Sequence, residues 1–412
     1  MRVWEYIRGK TCGYGDRKVI AGRSMTYRDL PDYTEKPDRR LRLCQGTTRA
    51  ELAEAVIRCL AEGDIAVPVS KEYGEKQYAY IRSVIEGAGQ GSAELKDVAM
   101  IVFTSGTTGK PKGVMLTDEN IIENLEYISE YFDVRGLERL CISRSLTHIS
   151  ALTGELLYGI CRGMTITFYE GIFVPLRLLR FLRDNQAEVY CATPTIFGNL
   201  ARYAEIRSFP VKVAAISGER LTEKQARKIA GAFPDTEHSP RASALLPEDF
   251  VRKAGSIGKP IGRTEMRIEE GELLLRSPCV MKGYYADGER TAEKLKGGWL
   301  HTGDMAHRDE EGYYYIDGRK DDMIIRAGVK IFPGEIEEVL KMCPGVEECR
   351  VYGEADERFG EKICAEVKGE AEPADIRRFA VKNLPPHLQP NEYKKTEAFE
   401  YTAGGKLVRR KR

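Results

Sequence analysis

Short apolar runs alternate with amphipathic segments along residues 47–235, and this alternation constrains the fold more than any other feature of the sequence. The runs DIAVPVS (64–70) and VAMIVF (98–103) have the length and composition of buried strands. The segment after Thr117, a favourable N-cap, carries apolar residues at helical spacing. Because strands that alternate with helices form a parallel sheet covered by helices, the sequence predicts an α/β fold with doubly wound, mainly parallel sheets.

The pattern changes in the last part of the chain. Residues 253–318 are rich in short strand patterns and glycine turns, which predicts a small β-barrel-like unit. Residues 319–412 contain two helical and two strand patterns, which predicts a compact α+β module. Since 412 residues exceed one ordinary core, we predict a large N-terminal domain over 1–318 and a small C-terminal domain over 319–412.

Composition and charge exclude several classes of function. The 64 basic and 63 acidic residues give a net charge of +1, so we expect no nucleic-acid partner and no membrane partner. No apolar run approaches the roughly 18 residues of a spanning helix, and no apolar signal core is present, so we expect a cytoplasmic protein. The ten cysteines are scattered singly, without a CxxC pair, so we expect buried thiols rather than a zinc site.

The loop FTSGTTGKPKG (103–113) directly follows a predicted buried strand. Glycines let backbone N–H groups converge on an anion, and hydroxyls and lysines add donors and charge, so the loop predicts phosphate binding. It is not a Walker loop, because Lys110 is followed by Pro111 and Lys112 by Gly113. No GxGxxG dinucleotide motif is present in the chain either.

This loop resembles the phosphate loop of the adenylate-forming (AMP-binding) superfamily, which includes acyl-CoA synthetases, aryl-acid ligases and peptide-synthetase adenylation domains. Other segments resemble that family's further motifs, in the family's order, to the end of the chain. They are GELLLRSPCVMKGYY (271–285), GGWLHTGD (297–304), GRKDDMIIRAGVKIFPGEIEE (318–338) and TAGGKLVRRKR (402–412). The resemblance therefore implies the superfamily's fold over nearly the whole chain.

The resemblance implies a nucleotide site. Six residues of the loop would bind the β- and γ-phosphates of ATP: Thr104, Ser105, Gly106, Thr107, Thr108 and Gly109. Lys112 would add catalytic positive charge beside them. Asp304 would accept hydrogen bonds from the ribose hydroxyls, and Arg319 would reach the ribose or the α-phosphate. The segment ISGERL (216–221) resembles the family's adenine-lining segment, which assigns Gly218 and Glu219 to the nucleotide.

The remaining motifs imply the parts that act on the acid and the thiol. Lys406 matches the family's catalytic lysine, which meets the contact between carboxylate and α-phosphate. Asp321 occupies the hinge position about which the C-terminal domain, a mobile lid over 319–412, would rotate, and Gly328 would approach the thiol channel. His148, in SLTHISALTG, would lie beside the acyl pocket. Amino-acid-activating relatives place an aspartate just after this histidine, where this chain has Ile149 and Ser150. We therefore expect an aryl or aliphatic acid rather than an α-amino acid.

One family motif, Tyr-Gly-x-Thr-Glu, is incomplete, and two alignments are open. Thr236 and Glu237 in FPDTEHSPR are the end of the motif without its Tyr-Gly, which makes Glu237 a Mg²⁺ ligand. Alternatively, FPDTE matches the segment before the strand that precedes the motif, and the motif itself is missing. The first alignment keeps a metal ligand and the second removes it.

Together these motifs predict an ATP-dependent acid–thiol ligase of the AMP-forming, acyl-CoA synthetase-like type. It would convert a small carboxylic acid to an acyl adenylate with ATP and Mg²⁺. The acyl group would then pass to CoA or to the phosphopantetheine of an acyl carrier protein. The alternative is a degenerate protein that binds a nucleotide or an acyl adenylate without full catalysis.

Overall fold

A computed structural model of the chain describes residues 1–36, 38–70, 73–87, 93–105, 111–203, 210–219, 221–232, 236–238 and 242–399. The chain divides into two compact units. The first contains residues 1–267, 275–301 and 308–315, and the second contains 268–274, 302–307 and the chain from 316 onward. The predicted domain boundary at 318/319 stays a prediction.

The helices of the described residues are α1 (Val3–Thr11), α2 (Arg49–Ala61), α3 (Glu75–Gly87), α4 (Asp118–Tyr131), α5 (Ile149–Ala151), α6 (Tyr158–Cys161), α7 (Pro175–Asp184), α8 (Pro194–Leu200), α9 (Glu223–Ala232), α10 (Gly288–Lys294), α11 (Pro333–Leu340) and α12 (Pro373–Asn383). A π-helical stretch, Leu152–Leu157, joins α5 to α6.

The strands of the described residues are β1 (Leu41–Cys44), β2 (Ile65–Pro68), β3 (Val98–Ser105), β4 (Pro111–Thr117), β5 (Arg139–Ile142), β6 (Thr165–Phe168), β7 (Val189–Ala192), β8 (Val213–Ile216), β9 (Thr236–His238), β10 (Ser243–Ala244), β11 (Ser256–Pro260), β12 (Glu265–Glu269), β13 (Glu272–Arg276), β14 (Gly283–Tyr284), β15 (Leu295–Lys296), β16 (Trp299–Arg308), β17 (Tyr314–Arg319), β18 (Ile324–Arg326), β19 (Val329–Ile331), β20 (Val346–Asp356), β21 (Gly360–Gly369) and β22 (Glu392–Lys395).

The first unit contains two five-stranded sheets. One has the order β1-β2-β3-β4-β14. Strands β1, β2 and β3 are parallel, and β4 is antiparallel to both of its neighbours, β3 and β14. The other has the order β6-β5-β7-β8-β9 and is parallel throughout. Parallel strands require crossover connections, and the helical segments between these strands supply them.

Helices between the two sheets form the largest core. Val56 of α2 and Leu125 of α4 belong to the same buried cluster as Val102 of β3 and Ile142 of β5. Helix α4 begins where the sequence predicts, because the Thr117 side chain accepts a hydrogen bond from the Asn120 N–H and completes a capping box. Eight of the ten cysteines are buried, as expected for thiols that act as small apolar side chains.

Short antiparallel strands follow in the region predicted to be β-rich. Strand β11 pairs with β10 and with Tyr314 and Tyr315 of β17, which lie in the first unit. In the second unit, β20 pairs antiparallel with β21, and β21 pairs parallel with β22. Helices α11 and α12 pack on one face of this three-stranded sheet through Ile336, Leu340 and Ile376. The predicted fold class, with parallel sheets, a β-rich region and an α+β C-terminal module, is confirmed.

The sequence does not predict β4. Strand β4 forms an antiparallel hairpin with β3, in which Ser105 faces Pro111 and Thr104 faces Lys112. Pro111 is tolerated because it is the first residue of its strand, where the missing N–H matters least. The predicted phosphate loop therefore begins and ends in two paired strands, and α4 begins only at Asp118, seven residues after Pro111.

Gly258 gives a test of the packing between β10 and β11. Its φ is +85°, and a Cβ atom there would lie 1.9 Å from the carbonyl oxygen of Ala244. Gly171 also has a positive φ, +109°, but a Cβ there would meet no atom within 4 Å. We predict that Gly258→Ala lowers the free energy of unfolding by about 2–5 kcal/mol, because backbone strain and overpacking add. Gly171→Ala carries only the backbone strain, so equal losses in urea denaturation would contradict this reading.

Candidate active site

The order of strands in the parallel sheet defines a crevice. From β5 the chain crosses to β6 on one side, whereas from β7 it crosses to β8 on the other side. Strands β5 and β7 are neighbours, so the two connections diverge between them. In open α/β sheets, ligands bind at such a switch point, outside the carboxyl ends of the strands.

Several predicted residues lie on the loops at these carboxyl ends. His148 follows β5, is exposed, and directly precedes α5. Gly218 and Glu219 follow β8, and Gly218 has a φ of +96°. The Glu219 carboxylate accepts a hydrogen bond of 2.6 Å from the hydroxyl of Thr195, which lies at the start of α8 after β7. Three neighbouring strands thus bring residues from distant parts of the sequence to one edge.

A buried ion pair that the sequence reading missed supports this edge. Arg144, in the loop after β5, pairs with Glu155, whose side chain is fully buried in the π-helical stretch. Arg144 also donates a hydrogen bond of 3.1 Å to the hydroxyl of Ser217, next to Gly218. The pair therefore connects the segment that carries His148 to the end of β8. The signal in the sequence is a glutamate inside the otherwise apolar helix ALTGELLYG.

Strands β3 and β4, here called the phosphate hairpin, contain the first residues of the predicted loop. Thr104 is exposed near the end of β3, opposite Lys112. Ser105 is the last residue of β3, and its side chain lies outside the described part of the chain. The calls on Gly106, Thr107, Thr108 and Gly109 also lie outside the described residues. Their phosphate role stays a prediction.

Lys112 lies in a cationic environment. Its ammonium group is 5.6 Å from the centre of the Tyr284 ring on the neighbouring strand β14. Partial burial, reinforced by repulsion from Arg290 and Lys294, lowers the pKa of Lys112, although Asp287 and Glu293 act in the opposite sense. A bound anion would relieve this repulsion, which agrees with the predicted phosphate role.

In the second unit, Asp304 and Arg319 lie side by side. The Arg319 guanidinium donates a hydrogen bond of 2.7 Å to the Asp304 carboxylate and one of 3.1 Å to the Thr302 carbonyl oxygen. The Arg319 side chain is 46% exposed and the Asp304 side chain is 31% exposed. They are therefore ordered by one another and still accessible to a ligand.

Glu272 holds this pair in place, and the sequence reading did not assign it. Its carboxylate accepts a hydrogen bond of 2.9 Å from the Gly303 N–H and forms an ion pair of 2.8 Å with Lys320. Gly303 precedes Asp304 and Lys320 follows Arg319, so one nearly buried carboxylate fixes both segments. The quoted motif GELLLRSP contains Glu272 and so marks it as a candidate, but the motif does not show its contact with Gly303.

The structure places three further predicted residues. Asp321 is exposed in a short turn of 3₁₀ helix, Lys320–Asp322. Gly328 has a φ of +81° in the two-residue turn between β18 and β19, where Ala327 is also left-handed. Both central residues of a type I′ hairpin turn require a positive φ, which explains the glycine. Glu237 lies in β9 opposite Ala215, with its side chain outside the description.

Lys406 lies outside the described residues. The roles of Lys406, Asp321, Gly328 and Glu237 stay predictions.

Among the described residues, one group of side chains has the spacing of a metal site. Ligand atoms of Glu354, Cys364 and Glu392 lie within 4.8 Å of one another. The Lys394 ammonium, however, lies 3.3 Å from both of these glutamates, and Lys362 pairs with both as well. We assign this group to cross-strand ion pairs.

Comparison with known proteins decides the family. The family model of AMP-binding enzymes matches residues 67–285, and that of the AMP-binding enzyme C-terminal domain matches residues 335–406. The chain belongs to the AMP-binding enzyme family. The resemblance seen in the sequence is thereby confirmed. No helix that the structure describes combines the length and the apolar character needed to cross a membrane.

Relatives of this AMP-binding chain include named ligases. A long-chain-fatty-acid–CoA ligase of Bacillus subtilis is 33% identical over 343 residues, which cover 76% of this chain and 61% of the ligase. An oxalate–CoA ligase of Arabidopsis thaliana is 32% identical over 357 residues, which cover 80% of this chain and 69% of that enzyme. The chain thus spans less than two thirds of the first relative. Both names give the acid–thiol ligase class that the motifs predict.

Solved structures agree with the AMP-binding fold. The o-succinylbenzoate coenzyme A synthetase of Bacillus subtilis, solved with ATP and a magnesium ion, superposes with a TM-score of 0.86. The alignment covers 99% of this chain and 98% of that chain at 22% sequence identity. The same synthetase with its acyl-adenylate intermediate gives a TM-score of 0.84.

The ion pair between Arg144 and Glu155 gives a test of how this edge is held together. Glu155→Leu leaves a guanidinium group in the core without its carboxylate, so we predict a loss of about 3–5 kcal/mol in the free energy of unfolding. The double variant Arg144→Met/Glu155→Leu removes both charges and should recover most of that loss. Glu86→Leu, which breaks an exposed pair with Arg82, is the control and should change stability little. A double variant as unstable as the single one would contradict the assignment.

Proposed function

We propose that this chain is an ATP-dependent acid–thiol ligase. In the first half-reaction, a carboxylate oxygen of the acid attacks the α-phosphorus of ATP, and pyrophosphate leaves. In the second, a thiolate attacks the acyl carbon, the bond to AMP breaks, and a thioester forms. The acid is already a nucleophile, so the protein has to align the reactants and neutralise charge at phosphorus.

The observation that carries the proposal is the convergence of loops at the switch point between β5 and β7. This edge holds His148, Gly218 and Glu219 within the part of the chain that matches the AMP-binding enzyme model. A polar crevice of this kind suits a nucleotide next to an acyl group. The phosphate hairpin and the cationic surroundings of Lys112 support the same assignment.

The proposal also assigns roles to residues of the second unit. Asp304 would accept hydrogen bonds from the ribose hydroxyls, and Arg319 would bind the ribose or the α-phosphate. Lys406 would supply the positive charge at the contact between carboxylate and α-phosphate. Asp321 would be the hinge and Gly328 would line the path of the thiol. These assignments rest on the family motifs and on the pairing of Asp304 with Arg319.

Mg²⁺ is part of the proposal. Magnesium in nucleotide sites is held by one or two carboxylates, by the phosphates and by water. Glu237 is the proposed protein carboxylate, and when bound the ion would neutralise phosphate charge.

The acid and the acceptor are proposed only as chemical classes. Ile149 and Ser150 follow His148 and offer no carboxylate for a substrate ammonium group. We therefore propose an aryl or aliphatic acid. The acceptor would be CoA, as the names of the relatives suggest, or the phosphopantetheine of an acyl carrier protein.

One observation favours the second candidate, a protein that binds nucleotide without full catalysis. Strand β9 ends at His238 and β10 begins at Ser243, so residues 239–242 alone connect them. Their sequence is SPRA, which contains neither the tyrosine nor the glutamate of the family's motif. If the motif belongs after β9, as the second alignment has it, the chain offers no Tyr-Gly-x-Thr-Glu sequence there.

Exchange of pyrophosphate into ATP tests the proposal directly. We predict acid-dependent exchange with an aryl or aliphatic acid from a panel, and a loss of ~10²–10³-fold in Lys406→Ala, the usual effect of removing one transition-state charge donor. Thioester formation from supplied acyl adenylate should remain largely intact. Absence of exchange with every acid would favour the binding-only candidate, and equal damage to both half-reactions would refute the role of Lys406.

Glu237→Gln tests the metal assignment. If Glu237 binds Mg²⁺, its loss removes a charged oxygen ligand and raises the Mg²⁺ concentration needed for half-maximal exchange. Glu223→Gln removes a charge from an exposed ion pair with Arg227 on α9 and is the control. We predict a shift for Glu237→Gln alone. Superimposable titration curves for Glu237→Gln and the unmutated protein would refute the metal assignment.

A further inference from the structure

The three-stranded sheet of the second unit has an unusual polar face. One face packs on α11 and α12, and the opposite face carries Arg350, Tyr352 and Glu366. These three residues are only 6%, 7% and 5% exposed. Buried charges persist only when they are paired and hydrogen-bonded. This face is therefore ordered rather than solvated.

Glu366 is the centre of this polar cluster. It lies directly opposite Arg350 in the register of β20 and β21 and forms an ion pair with it. Its other carboxylate oxygen accepts a hydrogen bond of 3.1 Å from the Tyr352 hydroxyl. Burial, reinforced by Glu366, raises the pKa of Tyr352 to about 12, so Tyr352 remains a donor at neutral pH.

The chain returns over this face after its last strand. The Thr396 N–H donates to the carbonyl oxygen of Val367, and the Thr396 hydroxyl donates to that of Ala398, at 2.9 and 3.0 Å. The Phe399 ring then lies 5.2 Å from the Arg350 guanidinium. A cation held over an aromatic ring is attracted most strongly when it is desolvated. Phe399 is thus attached to a rigid, buried partner.

We propose that Arg350, Glu366 and Tyr352 anchor Phe399 and so fix the point from which the C-terminal segment continues toward Lys406. Phe399 and Arg350 are then positioning residues for the first half-reaction. This role rests on the proposed function, because Lys406 is the group that is positioned. Lys406 lies seven positions after Phe399, which limits the reach to roughly 25 Å at about 3.5 Å per residue.

The anchor shortens the tether of Lys406. Without it, the last residue held by the sheet would be Thr396, which lies ten positions before Lys406, rather than Phe399, which lies seven before it. Effective concentration falls roughly as the −3/2 power of tether length, which gives about a twofold loss. Loss of the fixed orientation in which the chain leaves the anchor would lower the exchange rate further. We expect a total loss of about 3–10-fold in acid-dependent pyrophosphate exchange for Phe399→Ala.

The test uses the full chain with Phe399→Ala, the conservative variant Phe399→Tyr, and Phe379→Ala as the matched control. Phe379 packs on the opposite side of the same sheet. Phe399→Ala should lower exchange and spare thioester formation from supplied acyl adenylate, and Phe399→Tyr should retain exchange. In a Lys406→Ala background, Phe399→Ala should cause no further loss, because both changes act through the same group. An undiminished further loss would overturn the proposal.

A readout without turnover separates this inference from the proposed function. Brief trypsin treatment gives this readout through the rate of cleavage after Lys395, the exposed residue that directly precedes the anchored segment 396–399. Phe399→Ala should accelerate cleavage several-fold, whereas Phe379→Ala and Phe399→Tyr should not. Equal cleavage in Phe399→Ala and the unmutated chain overturns the anchor, whatever the exchange assay gives. A chain with the anchor but without exchange contradicts the proposed function alone.

Discussion

Parallel pairing brings the carboxyl ends of neighbouring strands to one edge of a sheet, and the candidate site depends on this constraint. His148, Thr195 and Glu219 are far apart in the sequence, yet they follow strands that are adjacent in space. The buried Arg144–Glu155 pair then connects two of the loops at this edge. The sheet thus sets the site's position, and a small number of charged contacts sets its shape.

Local pattern predicted most of the elements because their signals are local. Thr117 caps α4, Pro333 occupies the first turn of α11, and the apolar runs form the strands of the parallel sheet. Strand β4 was missed because Pro111 and Gly113 disfavour a strand, and only pairing with β3 offsets this preference. Pairing between distant segments leaves no local signal.

The same limit explains which site residues were missed. Asp304 and Arg319 belong to recognisable motifs and are hydrogen-bonded to each other, and their contact with nucleotide stays a prediction. Glu272 acts by accepting a hydrogen bond from Gly303, 31 positions along the chain, and single-sequence spacing does not reveal such a contact. Glu237 was ambiguous for another reason. Its strand, β9, is only three residues long and has no apolar alternation to mark its register.

The π-helical turn over Leu152–Leu157 makes the length of its helix hard to change. Such a turn contains one residue more than an α-helical turn. The extra residue rotates the rest of the helix by about 100° around its axis. Here the rotation applies to α6, whose Tyr158 hydroxyl donates a hydrogen bond to the Phe132 carbonyl oxygen in the core. Deleting one residue would restore a regular helix but turn Glu155 or Tyr158 away from its partner. Substitutions that preserve length should therefore be tolerated along this helix far better than insertions or deletions.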